Sequence, residues 1–152
     1  MDKAIDDLDR KIVKHICSGV YSYRELAELC QAGNNTVYRR IDRLEKMGII
    51  KKRISALPSF EKLGLSAIIV GMNLTTADID KTVRFLKRQS QIKLVWKTYG
   101  THDIVAVLVC DKGDVGACIF NLRNALEKLN IKVLSFDTST SVVWEKIDLS
   151  PY

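Results

Sequence analysis

The sequence holds few of the residues that mark fibrous, disordered or membrane-spanning proteins. Only 2 of its 152 residues are proline and 8 are glycine, whereas 47% are hydrophobic, a composition typical of folded chains. Its longest apolar run, residues 67–74, is interrupted by Gly71 and Asn73 and is far shorter than the roughly 18 to 20 residues of a membrane span. These scarcities exclude a collagen-like chain, a low-complexity chain and a transmembrane helix.

Cysteine and histidine are also too sparse to suggest a metal site or a disulfide framework. No two cysteines form a C-x-x-C pair, and only His15 and His102 could join them as metal ligands. The N-terminus is acidic and amphipathic, unlike a signal peptide, so we expect a cytoplasmic protein. We also expect no cofactor. In that compartment the cysteines are expected to be reduced and mostly buried: Cys17, Cys30, Cys110 and Cys118.

Apolar spacing predicts three short helices in the first 50 residues. The first follows an apolar face at 3-and-4 spacing and ends near Gly19. Ser22 and Glu25 form the pattern of a capping box, which predicts the start of a second helix of about two turns. A third helix is expected to begin near Asn34, capped by Asn34 or Gly33, and to stop at Gly48.

A short helix, a tight turn and a longer helix with a polar outer face form a helix-turn-helix, whose second helix enters the major groove of DNA. Val37, Ile41 and Leu44 form the inner face of the third helix, which leaves a basic and polar face outside. Spacing alone is equally compatible with a solvated face of a three-helix bundle. On the first interpretation, the DNA-binding residues of this helix are Asn34, Asn35, Thr36, Tyr38, Arg39, Arg40 and Arg43.

The charge distribution favours the DNA-binding interpretation. Residues 31–62 hold eight basic and three acidic side chains, a balance of +5, whereas residues 1–30 have a balance of −1. Three consecutive cations, Lys51, Lys52 and Arg53, lie in a strand-like stretch over residues 48–54 directly after the third helix. A wing that follows the DNA backbone needs cations in this position, so we predict that these three side chains contact phosphates.

From residue 64 onward the pattern changes to strand, helix, strand, strand, helix, strand. The predicted strands cover residues 65–74, 92–99, 104–110 and 132–147, and the predicted helices cover residues 78–89 and 114–129. This order is the ferredoxin-like plan, in which both helices cover one face of a four-stranded antiparallel sheet. The other face would expose apolar side chains such as Trp96, so we expect a homodimer that covers it.

The chain as a whole resembles the Lrp/AsnC family, the feast/famine regulators. The resemblance rests on the Ile5-Asp6-x-Leu8-Asp9 block, residues 38–50, the Gly100-Thr101-His102-Asp103 turn and residues 138–143. It implies an α+β protein with an N-terminal winged helix-turn-helix domain and a C-terminal ferredoxin-like βαββαβ domain. The implied divisions are a DNA-binding domain over residues 1–50, a hinge strand or linker over 51–63 that pairs across the dimer, and an effector-binding and oligomerisation domain over 64–152.

The resemblance also implies partners. These are double-stranded DNA, an amino acid or similar small effector, and further copies of the chain in a homodimer that assembles to an octamer. The implied effector site consists of Gly100, Thr101, His102 and Asp103, with Thr138 and Thr140 as hydroxyl partners and Trp96 as a wall. From the residues alone, the turn is equally well interpreted as hairpin chemistry, with His102 as a solvated loop histidine.

Three further points limit the function. Family members commonly have Ser or Thr before a proline at the start of the recognition helix, whereas this chain has Gly33-Asn34-Asn35-Thr36, so an operator sequence does not carry over. No nucleophile or phosphate-loop motif supports an enzyme. Two alternatives stay open at this point: a tetrapyrrole enzyme similar to the siroheme decarboxylases, and a small-molecule-binding assembly module without DNA binding.

Overall fold

The computed structural model describes residues 5–51, 58–143, 145, 146 and 151. By their contacts these residues fall into two compact units: residues 5–51 with 145, 146 and 151, and residues 58–143. The predicted divisions lie at residues 51 and 64, with the C-terminal end in the second domain, whereas residues 145, 146 and 151 group with the first unit. Within the described ranges, no helix has the length and apolar character that would let it cross a membrane.

The first unit is built from three helices, α1 (Asp7–Cys17), α2 (Tyr23–Cys30) and α3 (Asn34–Lys46). Each helix buries one apolar face against the other two. Ile12, Leu26 and Ile41 are among the fully buried side chains of this core. Val37, Ile41 and Leu44 face inward from α3, as their i, i+4, i+7 spacing predicts.

The helix caps match the predicted ones in part, since Ser22 caps α2 and Gly33, one of the two predicted caps, is the N-cap of α3. A complete capping box lies at the start of α1, where Asp6 Oδ1 accepts from Asp9 N at 2.9 Å and Asp9 Oδ2 accepts from Asp6 N at 3.1 Å. At α2 only one half of the predicted box is present, since Ser22 Oγ accepts from Glu25 N at 3.4 Å. The N-cap of α3 is Gly33, which makes no side-chain cap, and Asn34 is the first helical residue.

The predicted wing strand is not seen in the part of it that the structure describes. Residues 48–51 follow α3 as a turn and bends, in which Ile49 N and Ile50 N both donate to Leu44 O. Lys52 and Arg53 lie outside the described residues, as do residues 54–57 of the predicted hinge segment. Of the later residues of that segment, 58 and 59 are irregular and 60–63 form a turn that continues to Gly64.

The second unit has the predicted element order. It runs β1 (Leu65–Leu74), α4 (Thr76–Leu86), β2 (Ile92–Lys97), β3 (Ile104–Asp111), a short 3₁₀ turn (Lys112–Asp114), α5 (Val115–Lys128) and β4 (Val133–Thr140). The strands form one antiparallel sheet in the order β2-β3-β1-β4, so β2 and β4 are its edges. The last strand ends at Thr140, well before the predicted residue 147, and residues 141–143 continue it as irregular backbone.

The two faces of the sheet have different surroundings. One face packs against the helices and contributes a fully buried row from β1 and β3, including Ile68, Val70 and Leu108. The opposite face, which we call the open face, carries Ile69, Leu94 and Trp96 with 45%, 43% and 47% of their surfaces exposed. These side chains lie on either side of β3, since Leu94 of β2 and Ile69 of β1 both pair with Val107. The open face therefore presents an exposed apolar patch.

Candidate nucleic-acid interface and effector turn

The outer face of α3 is the candidate nucleic-acid interface. Its predicted members Asn34, Asn35, Thr36, Tyr38 and Arg39 are all exposed, because the opposite face of the helix is held in the core of the first unit. Tyr38 also packs against Tyr23 of α2, with ring centroids 5.5 Å apart. The helix therefore offers amide, hydroxyl and guanidinium groups to a partner along one face.

Arg40 and Arg43, predicted to face DNA, instead turn toward α1. Arg40 Nη1 lies 3.2 Å from both carboxylate oxygens of Asp9 and also pairs with Asp6, while Arg43 Nη2 pairs with Asp9. Asp9 is completely buried, and the two guanidinium groups are about one-third exposed. The predicted outward orientation of Arg43 is wrong, and Arg40, predicted on the flank of the helix, is turned to the same side, because a buried carboxylate on the neighbouring helix attracts both.

This charged cluster shifts the ionisation of its members in the stabilising direction. The Asp9 backbone N–H and the Arg40 guanidinium hold the pKa of Asp6 below its usual range. The hydrogen bond to Asp6 raises the pKa of Arg40. The pair of Asp6 and Arg40 thus stays charged at neutral pH, and the cluster joins the start of α1 to the middle of α3.

With those two arginines engaged, few cations are left free on α3. Lys46 Nζ bonds Asp42 Oδ2 at 2.7 Å, and this contact raises the pKa of Lys46. Arg39 has no ion-pair partner among the residues that the structure describes, and it is exposed. Arg39 is therefore the cation of α3 that is available to a base edge or a phosphate. Lys51, just beyond the helix, is exposed as well.

The second candidate site is the turn formed by Gly100, Thr101, His102 and Asp103 between β2 and β3. Asn73 at the end of β1 holds this turn through both ends of its amide: Nδ2 donates to Thr101 O at 2.9 Å, and Oδ1 accepts from Asp103 N at 3.1 Å. Thr98 Oγ1 adds a bond to His102 O at 2.6 Å. Gly100 takes a φ of 129°, which other residues rarely adopt. The turn is thus fixed to the neighbouring strand.

The Asp103 carboxylate has a structural partner within the chain. Its Oδ2 accepts a hydrogen bond from Leu74 N at 2.9 Å, and so satisfies a backbone donor at the end of β1. This contact joins the turn to the end of a different strand, β1. One carboxylate oxygen is consequently engaged before any ligand binds.

His102 is not the solvated loop histidine that the sequence analysis expected. Its side chain is only 19% exposed, and its ring lies against the backbone of Gly71. A Cβ at position 71 would be 2.1 Å from His102 Cδ2, so the ring occupies space that only glycine leaves open. His102 Nε2 is 3.6 Å from Asp137 Oδ2, and Nδ1 is buried without a hydrogen-bond partner in the described structure.

The predicted effector residues are divided between the two faces of the sheet. Thr138 and Thr140 pair with Val70 and Ile68, whose side chains point toward the helices, and opposed residues share a face. The His102 ring and Trp96 lie on the open face, since Gly71 and Val105 alternate with helix-facing residues. A single chain therefore does not bring all the predicted residues together.

Comparisons with known proteins decide the family. A winged helix-turn-helix DNA-binding family model matches residues 5–51. The structure is similar to that of AsnC from E. coli, with a TM-score of 0.70, 22% identity, and coverage of 95% of this chain and 96% of that one. An uncharacterized HTH-type transcriptional regulator of Pyrococcus furiosus is 34% identical over 147 residues, which cover 93% of this chain and 92% of the relative. The chain belongs to the Lrp/AsnC family.

As a member of this family, the protein is a DNA-binding transcriptional regulator. Another solved Lrp/AsnC-like structure is a complex of the Neisseria meningitidis transcriptional regulator NMB0573 with L-Met. That structure has a TM-score of 0.74, 21% identity, and coverage of 97% of this chain and 96% of its own.

Three residues that shape these sites in the Lrp/AsnC chain were not assigned to them from the sequence: Asp9, Asn73 and Asp137. Asp9 stands three and four residues before Ile12 and Val13, so a charged residue on the apolar face of α1 was a visible signal. Asn73 was visible as a polar interruption of an apolar strand. Asp137 gave no local signal, because its proximity to His102 depends on the pairing of β4 with β1.

The remaining candidate ligands do not gather into a metal site. Within the described ranges, no three His, Cys, Asp or Glu side chains come close enough together to hold a metal ion. The four cysteines are free thiols. Burial and the neighbouring Cys118 raise the pKa of Cys110 to about 12, so this thiol stays protonated at neutral pH.

Proposed function

We propose that this regulator reads DNA as a homodimer through the outer face of α3 and that a small molecule, an amino acid, controls its assembly. The observation that carries the proposal is the state of α3. Its polar face is exposed, and the Arg39 guanidinium on it has no ion-pair partner among the described residues, while Arg40 and Arg43 hold the helix against α1. A helix whose inner face is held by its neighbour and whose polar face is exposed is suited to enter a major groove.

In this proposal, the residues of the interface have two different tasks. Asn35, Thr36 and Arg39 address base edges, with Asn34 and Tyr38 beside them at the groove wall. Lys51, Lys52 and Arg53 neutralise phosphates. Arg40 and Arg43 position the helix and, in a change from the sequence-based expectation, are not assigned to bases.

The open face supports the homodimer. Ile69, Leu94 and Trp96 are each more than two-fifths exposed, and two copies of the same apolar patch are complementary to each other. Replacing Trp96 by Asp should give monomers in light scattering, whereas Phe120→Asp, at an exposed apolar position of α5, should leave the dimer intact. A Trp96→Asp protein that stays dimeric would move the dimer interface elsewhere.

The proposal of an effector rests on the Gly100–Asp103 turn and on the similar solved structure of NMB0573. NMB0573 was solved with L-Met, an amino acid. In this chain His102 of the turn lies near Asp137, and its Nδ1 has no hydrogen-bond partner among the described residues. Thr138 and Thr140 face the other side of the edge strand β4. Because these groups lie on two faces, a ligand that uses both sets must bind between chains. Such a site would couple the ligand to assembly, including an octamer.

Two measurements test the proposed function. Fluorescence anisotropy with a labelled pool of random duplexes should show binding that weakens as salt is raised, because phosphate contacts release counterions. A thermal-shift screen of the twenty amino acids, combined with light scattering, should find at least one that raises the melting temperature and changes the assembly. Binding that does not respond to salt contradicts the DNA proposal, and a screen without a shift contradicts the effector proposal.

A further inference from the structure

A cavity lies in the sheet domain, away from the turn and from the open face. It is formed between α4 and the edge strand β2 and has a volume of about 430 Å³. Val83, Ile92 and Val95 form an apolar floor, and three of the lining residues are lysines: Lys87, Lys93 and Lys97. Its volume falls within the roughly 300 to 1,000 Å³ typical of small-molecule sites.

The positive charge of the sheet domain is concentrated around this cavity. Residues 76–97 hold six basic and two acidic side chains, a balance of +4, whereas the whole of residues 63–152 has a balance of only +2. The rest of that domain is therefore net negative. A cavity with this surrounding charge attracts anions over a distance as well as on contact.

The three lysines differ in their present partners. Lys97 Nζ is paired with Asp80, which lowers the pKa of that carboxyl. Lys93 Nζ uses one donor on Ser90 O at 2.7 Å and has two left. The Lys87 ammonium has no hydrogen bond or ion pair among the residues that the structure describes. Two ammonium groups thus have free donors beside an apolar floor.

We propose that this cavity binds a small organic anion with an apolar body, of the class of alkyl or aryl monocarboxylates. The floor would bury the hydrocarbon part, and Lys87 and Lys93 would hold the carboxylate. An amino acid fits poorly, because no carboxylate lines the cavity to receive its ammonium and the nearby Asp80 is engaged by Lys97. The ligand class therefore differs from the one proposed for the turn.

Calorimetry with a matched pair of probes tests this proposal. The full-length protein should bind 4-phenylbutanoate and should bind the neutral 4-phenylbutanamide about tenfold more weakly, because the charged hydrogen bonds are lost. Replacing Lys87 by Ala should weaken 4-phenylbutanoate binding by about the same factor. The control is Lys128→Ala, at an exposed lysine of α5, which should not change the affinity. Amide NMR shifts should appear at Val83 and Val95.

Several results would overturn the proposal. These are no binding of 4-phenylbutanoate, equal affinity for the two probes, an unchanged affinity in Lys87→Ala, or NMR shifts confined to the open face around Trp96. Binding of a labelled random duplex tests the alternative that these lysines bind nucleic acid. If Lys87→Ala weakens duplex binding as strongly as Lys51→Ala does, the lysines form a nucleic-acid surface and the small-anion assignment is wrong.

Discussion

The carboxylate of Asp9, buried in α1, lies 3.2 Å from the guanidinium of Arg40 in α3, the helix that we assign to DNA reading. Arg43 shares the same carboxylate, so one buried negative charge holds two positive ones. The pairing ties the orientation of the exposed face of α3 to the helix behind it. Both the stability of this unit and its affinity for DNA should therefore depend on Asp9.

Replacing Asp9 by Ala should lower the free energy of unfolding by about 3 kcal/mol, because two partly buried guanidinium groups lose their common partner. Urea unfolding followed by circular dichroism measures the change. Glu28→Ala is the control, since its pair with Arg24 is on the surface and contributes less than about 1 kcal/mol. Equal losses in the two variants would show that the Asp9 cluster is not stabilising.

The helices of this unit were predictable from the sequence, but this contact was not. Apolar spacing located α1, α2 and α3 because one face of each helix must be buried. The same spacing placed Arg43 on the outer face, since a helical wheel records angles within one helix and not which neighbour covers its flank. Asp9 was visible as a charged residue on the apolar face of α1, but its pairing with Arg40 and Arg43 depends on how α1 packs against α3.

Gly71 and His102 form a pair that depends on the absence of a side chain. Gly71→Ala should destabilise the sheet domain by about 1 to 3 kcal/mol, because the added Cβ forces the ring out of its place. In the double variant Gly71→Ala/His102→Ala most of that loss should disappear, which a double-mutant cycle measures. Gly113→Ala is the matched control, as nothing lies within 4 Å of its added Cβ. Additive effects would contradict the contact.

Asp103 should contribute to folding as well as to any ligand site. Asp103→Ala removes the acceptor of Leu74 N and should cost about 1 to 3 kcal/mol, since that donor is left without a partner. Asp103→Asn keeps a carbonyl oxygen and should cost less. Hydrogen exchange at the Leu74 amide reports the bond directly. Unchanged protection in Asp103→Ala would show that the bond is not formed in solution.

The order of the sheet domain could be predicted, because alternation identifies strands and 3-and-4 spacing identifies helices. The Gly100–Asp103 turn could be located as well, because it lies between two strands that alternation identifies. The surroundings of the turn could not, since Asn73 and Asp103 are 30 residues apart in the sequence and meet only through strand pairing. The end of β4 was also missed, because Thr, Ser and Val continue beyond Thr140 with the same composition.

The cations beyond α3 should act on phosphates and not on bases. Replacing Lys51 and Lys52 together by Ala should reduce the slope of log affinity against log salt by about 0.9 for each lost phosphate contact. Anisotropy titrations at four or more salt concentrations give the slope. Lys128→Ala, in α5, should leave it unchanged. A double variant with the wild-type slope would remove these two lysines from the interface.

Sequence selection by Arg39 is the most direct test of the account, in which the free guanidinium of α3 reads base edges. The measurement is enrichment from a pool of random duplexes by the wild-type protein and by Arg39→Ala, followed by affinities for the enriched and the unselected duplex. We expect the wild-type protein to enrich a defined site and Arg39→Ala to lose about 1 to 3 kcal/mol of discrimination. Arg24→Ala, on α2, should keep it. If Arg39→Ala enriches the same site with the same ratio of affinities, the assignment of α3 as the reading helix through Arg39 is contradicted.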